Sequence, residues 1–190
     1  MNSILTHWQT LPGDAWLLVD PIVIDTFIDD WYRRAQPATL MQSLYLGTEQ
    51  EIVGDYAPQL CQDADYQLLS HLLATWPDAP WGLALHSGAP IAELIHHLQS
   101  FITAFDPQGE KVIWRYQDPR LLGPMLDAFE PEDREIFLGP LQAIAAPQSG
   151  GKLTLLCDPE RRLSEVCYRP APWFQLRRDY FAALGERDAR

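Results

Sequence analysis

The sequence predicts an α/β fold: a mixed sheet with parallel pairs flanked by helices, an antiparallel edge hairpin and a C-terminal amphipathic helix. Short apolar runs of strand length alternate with longer segments whose apolar residues recur at helical spacing. Strands that alternate with helices are typical of sheets containing parallel pairs. The 190 residues suffice for one core, because a chain of this size buries roughly 70% of the surface it exposes when unfolded.

The first half of the chain supplies these elements in turn. Ala15–Asp20 is an apolar run that predicts a buried strand. Asp20-Pro21 then reads as an N-cap followed by proline at the first helical position, so a helix is expected from there, with Arg33 and Arg34 in its last turn. Further strands are expected at Leu40–Leu46 and Ala57–Cys61, and a further helix at Tyr66–Trp76.

The second half repeats the alternation and ends in a hairpin. The predicted elements are a strand at Trp81–His86, a helix at Pro90–Phe105, a strand at Lys111–Tyr116, helices at 119–128 and 131–138, and paired strands at Leu141–Ala146 and Leu153–Cys157. We therefore expect an α/β domain at residues 1–147. Residues 148–190 add the hairpin strand and a helix, packed on or beside it in one structural unit.

The last predicted helix, Trp173–Leu184, carries the candidate partner-binding residues. Its apolar stripe is set by Trp173, Leu176, Tyr180 and Leu184, and Phe174 and Phe181 widen it. Aromatic residues and arginine concentrate at interface anchors. The expected partner contacts are therefore Trp173, Phe174, Arg177, Tyr180 and Phe181. The alternative is that the stripe docks on its own domain. Partner binding and docking are compatible if the helix forms the rim of a groove for a partner helix.

A second candidate site is the strand-to-helix corner in the segment RYQDPR at 115–120. Asp118 precedes a proline and is expected to cap the helix that follows. Arg115 on the strand is expected to pair with Asp118 or with another carboxylate. The structural interpretation is a polar clamp; in the functional alternative, Arg115 or Arg120 anchors a group of the partner.

No group of residues predicts catalysis or metal binding. His96 and His97 are adjacent on a helix, so they point about 100° apart, and both are expected on its solvated side. His86 ends a strand beside Ser87, but that serine is not in a GxSxG elbow. Phosphate-loop and HExxH motifs are absent. We expect no catalytic residue, no metal and no cofactor.

Charge and cysteine content narrow the class of partner. The net charge is −12, from 26 acidic and 14 basic residues, which disfavours nucleic acid and anionic membranes because both need a positive surface. Cys61, Cys157 and Cys167 are odd in number and widely spaced, as in a protein with reduced thiols. The N-terminus lacks a signal-peptide pattern, and the apolar runs are too short to span a membrane. We expect a cytoplasmic protein.

Four segments together resemble a known family. They are LYLGT at 44–48, PWGLAL at 80–85, RYQDPR at 115–120 and FLGPLQAIAAP at 137–147. In this order they are similar to the type VI secretion system effector adaptor or chaperone family (domain of unknown function 4123). The likeness covers roughly residues 15 to 147. Gln117 and Leu138 depart from it, since aromatic residues are common at those positions in the family.

The resemblance implies an adaptor without catalytic activity. Such proteins bind a cognate secreted effector, a toxin, and help to load it onto the valine-glycine-repeat spike protein. Two alternatives remain open at this point. The first is an immunity-type protein that neutralises a toxin by direct contact, which acidic charge and exposed aromatics would also suit. The second is a small hydrolase that uses His86 and nearby carboxylates.

Overall fold

The computed structural model describes residues 8–34 and 39–185. The signal-peptide expectation is based on the N-terminal residues, and residues 1–7 lie outside these ranges. The described residues form a mixed α/β fold with a six-stranded sheet and a three-stranded sheet, which confirms the predicted class. None of the helices in these ranges has the length and apolar character needed to cross a membrane.

The strands account for most of the apolar runs in the sequence. In chain order they are β1 (Asp14–Val19), β2 (Met41–Ser43), β3 (Gln59–Gln62), β4 (Gly82–Ser87), β5 (Thr103–Phe105), β6 (Lys111–Ile113), β7 (Leu141–Gln148), β8 (Lys152–Leu155) and β9 (Phe174–Gln175).

The helices are short. They are α1 (Phe27–Arg34), α2 (Gln67–Thr75), α3 (Ile91–Gln99), α4 (Pro119–Ala128), α5 (Pro131–Leu138) and α6 (Arg178–Gly185), together with a 3-10 helix at Glu49–Tyr56.

The large sheet has the order β2-β3-β1-β4-β7-β8, and all its neighbouring strands are antiparallel. The large sheet therefore lacks the expected directly bonded parallel pairs, although β3 and β4, which α2 connects, run the same way. Strand β1 lies between them and pairs with both in the opposite direction. The directly bonded parallel pair is β5 with β9, in the small sheet of order β6-β5-β9.

Apolar side chains from the large sheet feed a core on each face. Along β1, Trp16 and Leu18 enter one cluster, while Leu17 and Val19 enter the other. This alternation follows from the two-residue period of a strand. The first cluster also holds α3, α4, α5, α6 and the small sheet, and the second holds α1 and α2. Helices on both faces explain why β1 is apolar almost throughout rather than at every second position.

The antiparallel edge hairpin is confirmed as β7 and β8, which pair from Ala145–Leu155 to Gln148–Lys152. Its turn contains Gly150 and Gly151, both at positive φ. Asp78 secures the turn from the α2–β4 loop by accepting hydrogen bonds from the Ser149 hydroxyl (2.9 Å) and the Gly150 N–H (3.0 Å).

Two predicted helices in the first two thirds of the chain are shorter than expected. The helix predicted from Pro21 begins only at Phe27, because Asp20 uses its side chain on a turn, accepting from the Ile22 N–H at 3.0 Å. The helix predicted to reach Phe105 ends at Gln99. The Ser100 hydroxyl donates to the His97 carbonyl (2.7 Å), and Thr103–Phe105 instead pairs with β6 and β9 as β5.

The C-terminal amphipathic helix is present but begins at Arg178 rather than Trp173. Its predicted first turn is extended, because Phe174 and Gln175 form β9 against β5. The Leu176 N–H continues this pairing by donating to the Phe105 carbonyl (2.8 Å). Sheet pairing and burial of Phe174 therefore outweigh the helical periodicity of the segment.

Candidate functional site

Tyr180 fixes α6 to its own domain. The side chain is 1% exposed, and its ring lies 4.6 Å from that of Phe129. Its hydroxyl donates to the Asp133 carboxylate and accepts from the Glu130 N–H (3.3 Å). Burial and the hydrogen bond to Asp133 raise the pKa of Tyr180 to about 12. Tyr180, which was predicted as a partner contact, therefore packs inside its own domain. This is the alternative given for the apolar stripe in the sequence analysis.

The other predicted contacts divide between core and surface. Phe174 is 2% exposed and stacks on Trp114, with ring centroids 5.5 Å apart. Trp173 is half-buried and lies under the Arg169 guanidinium at 4.7 Å. Arg177 is exposed and its Nε lies 3.0 Å from Asp133. Phe181, at 40% exposed, is the aromatic residue of this set that solvent reaches most.

Phe181 lines an apolar groove beside the small sheet, which we call the α6 groove. It encloses about 470 Å³ between the β5–β6 hairpin on one side and α4 and α6 on the other. Its apolar lining includes Pro107, Val112, Leu121, Met125, Phe181 and Leu184. This volume lies within the range of about 300–1,000 Å³ that is typical of ligand pockets.

Two of the three charged residues that line the α6 groove are arginines, although the whole chain is acidic. Its charged lining residues are Asp106, Arg115 and Arg178. The Asp106 carboxylate already accepts N–H groups of its own turn, from Gln108 (2.9 Å) and Glu110 (2.8 Å). The groove can therefore accept apolar groups together with an anionic group.

The predicted corner forms as a clamp around Asp118. Its Oδ1 accepts from the backbone N–H (2.9 Å) and Nε (3.0 Å) of Arg120, and Oδ2 accepts from Nη2 (2.7 Å). Asp118 is thus the N-cap of α4, as expected. The hydrogen bonds to Asp118, and its charge, raise the pKa of Arg120. The Arg120 side chain is 67% exposed, so its outer surface stays available.

Arg115 pairs with Asp20, the other carboxylate allowed for by the sequence analysis. Asp20 is fully buried at the end of β1 and also accepts from Gln117 Nε2 at 3.3 Å. A buried carboxylate needs such partners. Because Arg115 also lines the α6 groove, this pair fixes one wall of the groove to the large sheet. The structure therefore brings together the predicted residues Arg115 and Phe181.

Several groove residues were missed by the sequence analysis. Leu121 and Met125 were absorbed into a predicted helix, and Pro107 into a predicted turn. The four-residue spacing of Leu121 and Met125 does place them on one face of a helix. Whether that face is covered depends on where α6 packs, which local sequence does not specify.

His86 is enclosed rather than poised at a surface. It is 0% exposed and sits between the rings of Trp8 (4.7 Å) and Tyr66 (6.1 Å). Burial lowers its pKa, while the nearby Pro12 carbonyl opposes the shift without reaching hydrogen-bond geometry. The neighbouring Ser87 hydroxyl donates to the Pro140 carbonyl (3.0 Å). Both side chains are therefore closed off from solvent within the described fold.

The expectation that His97 is solvated is wrong, although His96 is exposed. His97 is fully buried, and its Nδ1 accepts from the Cys167 N–H (3.1 Å). Nε2 therefore carries the proton and donates to the Phe137 carbonyl (2.9 Å). Burial lowers the pKa of His97 to about 4. Gly139 permits this contact, since a Cβ there would lie 2.3 Å from the ring.

A second exposed surface lies on the 3-10 helix. Ile52 is 93% exposed and Tyr56 is 61% exposed, within a segment that also carries Glu49, Glu51 and Asp55. Glu49 reaches across to pair with Lys111 of β6. The Lys111 side chain thus connects this acidic and apolar surface to β6.

Within residues 8–34 and 39–185, no group of three or more His, Cys, Asp or Glu side chains is arranged to hold a metal ion. The profile of a family described as "Domain of unknown function (DUF4123)" matches residues 15–135. Neither a curated protein nor a solved structure matches the chain.

Proposed function

This chain belongs to the DUF4123 family, and on that premise we propose that it is an effector adaptor of a type VI secretion system. It binds a cognate secreted effector and promotes loading of that effector onto the valine-glycine-repeat spike protein. Loading precedes secretion, so the adaptor works in the cytoplasm. It performs no chemistry on either partner.

The observation that carries the proposal is the α6 groove. It is open, apolar and lined by two arginines within a protein of net charge −12. A concave, mostly apolar surface with a few charged groups at its margin is the usual form of a binding site. Of the four segments that resemble the adaptor family, RYQDPR contributes Arg115 to the lining of the groove. We assign the groove to the effector.

Co-purification tests the proposal. The protein is co-expressed with the effector and spike proteins encoded beside it, and each is recovered through a tag on the adaptor. Phe181→Asp places a charge in the apolar groove and should lower effector recovery about tenfold or more, because an unpaired charge is costly to desolvate. Recovery of the spike protein should not change.

Tyr32→Asp is the matched control for this experiment. Tyr32 is an aromatic residue on α1, in the opposite layer of the fold, and is 73% exposed. The control should recover both partners as the wild type does. An effector that fails to co-purify, or one that binds equally well to Phe181→Asp, would refute the assignment.

The second candidate function is toxin neutralisation, which the surface of the 3-10 helix favours. Exposed Ile52 and Tyr56 among acidic side chains suit a partner with a basic face. A growth assay separates the two functions. An immunity protein protects cells that lack the secretion apparatus from the neighbouring toxin, and this protection disappears in Ile52→Asp. An adaptor leaves such cells sensitive.

A further inference from the structure

The pairing pattern of the small sheet determines which backbone groups of β6 face outward. At one end of the strand the Trp114 N–H donates to the Ile102 carbonyl (2.8 Å). At the other end the Asp106 N–H donates to the Glu110 carbonyl (2.9 Å). In an antiparallel pair, hydrogen-bonded and non-bonded positions alternate. Val112 is therefore the position between these ends whose N–H and C=O face β5.

It follows that the N–H and C=O groups of Lys111 and Ile113 point away from β5. Since β6 is an edge of its sheet, these groups face outward. No hydrogen bond within residues 8–34 and 39–185 reaches them. A row of free donors and acceptors at strand spacing is the feature to which another extended chain can bond.

The same edge borders the α6 groove. The Val112 side chain packs toward the core, whereas Lys111 and Ile113 project from the opposite face. Val112 lines the groove, and Ile113 also contributes to its lining at the edge of the strand. A strand paired to β6 has alternate side chains on the Val112 face, so those side chains enter the groove beside Phe181.

The charge at the groove indicates the remaining chemistry of the occupant. Arg115 is engaged by Asp20. Arg178 is exposed and makes no ion pair with any described residue. A carboxylate on the incoming segment would give this guanidinium a partner. A helix lying in the groove would satisfy the apolar lining but would leave the backbone groups of β6 unpaired.

We propose that β6 is the docking edge for an extended segment of the effector, which adds a strand to the small sheet. The segment has apolar residues at alternate positions, which enter the α6 groove, and an acidic residue that pairs with Arg178. The inference rests on the proposed adaptor function and specifies how that function recognises its partner. Main-chain bonds would supply affinity, and the alternating side chains would supply specificity.

Amide hydrogen exchange of the full-length protein tests this geometry directly. In the free protein the Val112 amide should exchange slowly, and those of Lys111 and Ile113 should exchange rapidly. Adding the full-length effector encoded beside the gene should slow exchange at Lys111 and Ile113 by about tenfold or more, as new hydrogen bonds do. Arg178→Glu should lower the affinity for the effector. It should also make that affinity less sensitive to salt concentration.

A pair of variants at Ile113 separates backbone from side chain. Ile113→Pro deletes the outward N–H without removing a bond to β5, a change that edge strands tolerate. Ile113→Thr keeps this N–H while it reduces apolar surface. Effector affinity should fall about tenfold more in Ile113→Pro than in Ile113→Thr. If Ile113→Pro does not fold, the exchange measurement on the wild type decides alone.

Each outcome has a defined meaning. If the effector binds while the Ile113 amide still exchanges rapidly, strand addition is overturned. The adaptor function is then unaffected, and a helix in the groove becomes the alternative. Failure of the effector to bind overturns both. If protection of the Lys111 and Ile113 amides instead increases with protein concentration in the absence of effector, the occupant is a second copy of the chain. That result would overturn the assignment to the effector.

Discussion

At Asp118 a single carboxylate both caps α4 and holds the following arginine. Asp118→Ala should lower the free energy of unfolding by about 0.5–2 kcal/mol, the usual cost of a lost N-cap. Arg120→Gln, which keeps the cap but removes a mostly exposed ion pair, should cost less, about 0.5 kcal/mol. Urea unfolding of both variants measures the difference. An Asp118→Ala protein of wild-type stability that binds no effector would make Asp118 a contact residue instead.

His97 makes stability depend on pH with a predictable sign. The ordinary pKa of about 6.5 applies to the unfolded chain, and burial lowers the folded value to about 4. Between these values the unfolded chain binds more protons, so stability is fully present above about pH 6.5 and is lost as pH falls toward 4. This group should lower the free energy of unfolding by about 2 kcal/mol between about pH 7.5 and 5.

The His97 effect has its own controls. His96→Asn should keep the pH dependence, because His96 is exposed. His97→Asn should be less stable at neutral pH and should lose most of the dependence. A smaller dependence remains from His86, whose pKa burial also lowers. Urea unfolding at each pH measures the effect, and equal dependence in the wild type and in His97→Asn would show that His97 does not carry it.

Single residues also show what local sequence does and does not predict. The Asp118 cap could be predicted because its partners are two residues away. The partner of Arg115 could only be narrowed to a carboxylate, because Asp20 lies 95 residues away and is brought near by the fold. His97 shows the same limit, since its ring is enclosed by Phe137 and Cys167, which are distant in sequence.

At the scale of elements, α6 shows how one helix divides between anchoring and recognition. Tyr180 and Phe181 are adjacent, yet one is 1% exposed and the other 40%. Tyr180→Ala should lower the free energy of unfolding by about 3–5 kcal/mol, as large aromatic truncations in cores do. Phe181→Ala should cost less than about 1 kcal/mol. Thermal and urea unfolding measure both, and equal losses would refute this division.

The helices and strands themselves were predicted best where pattern and length agreed. Pro131 predicted the start of a short helix that ends near Leu138, and α5 spans these residues. The helical stripe continued past Gln99 and through Trp173–Arg177, but there the chain forms β5 and β9. These short strands pair with each other across about 70 residues. Local periodicity carries no information about such pairing.

For the whole molecule, the C-terminal residues complete both cores. Leu153 belongs to one apolar cluster, and Phe174, Leu176 and Tyr180 belong to the other. A fragment of residues 1–147 should therefore not unfold cooperatively, because it exposes apolar surface on both faces of the sheet. Loss of a cooperative thermal transition, followed by circular dichroism, tests this prediction. A fragment that folds with a sharp transition would establish 1–147 as an independent domain.

All sheet edges within the described residues are short, from the two residues of β9 to the four of β8. Long exposed edges template aggregation, and short ones limit it. A charged side chain on an edge strand also opposes edge-to-edge pairing, so Lys111→Val would leave β6 as an apolar edge without that protection. Such a variant should precipitate during expression or form fibrils. On the proposed mode of effector binding, an edge of only three residues limits self-association while its backbone groups stay open to the effector.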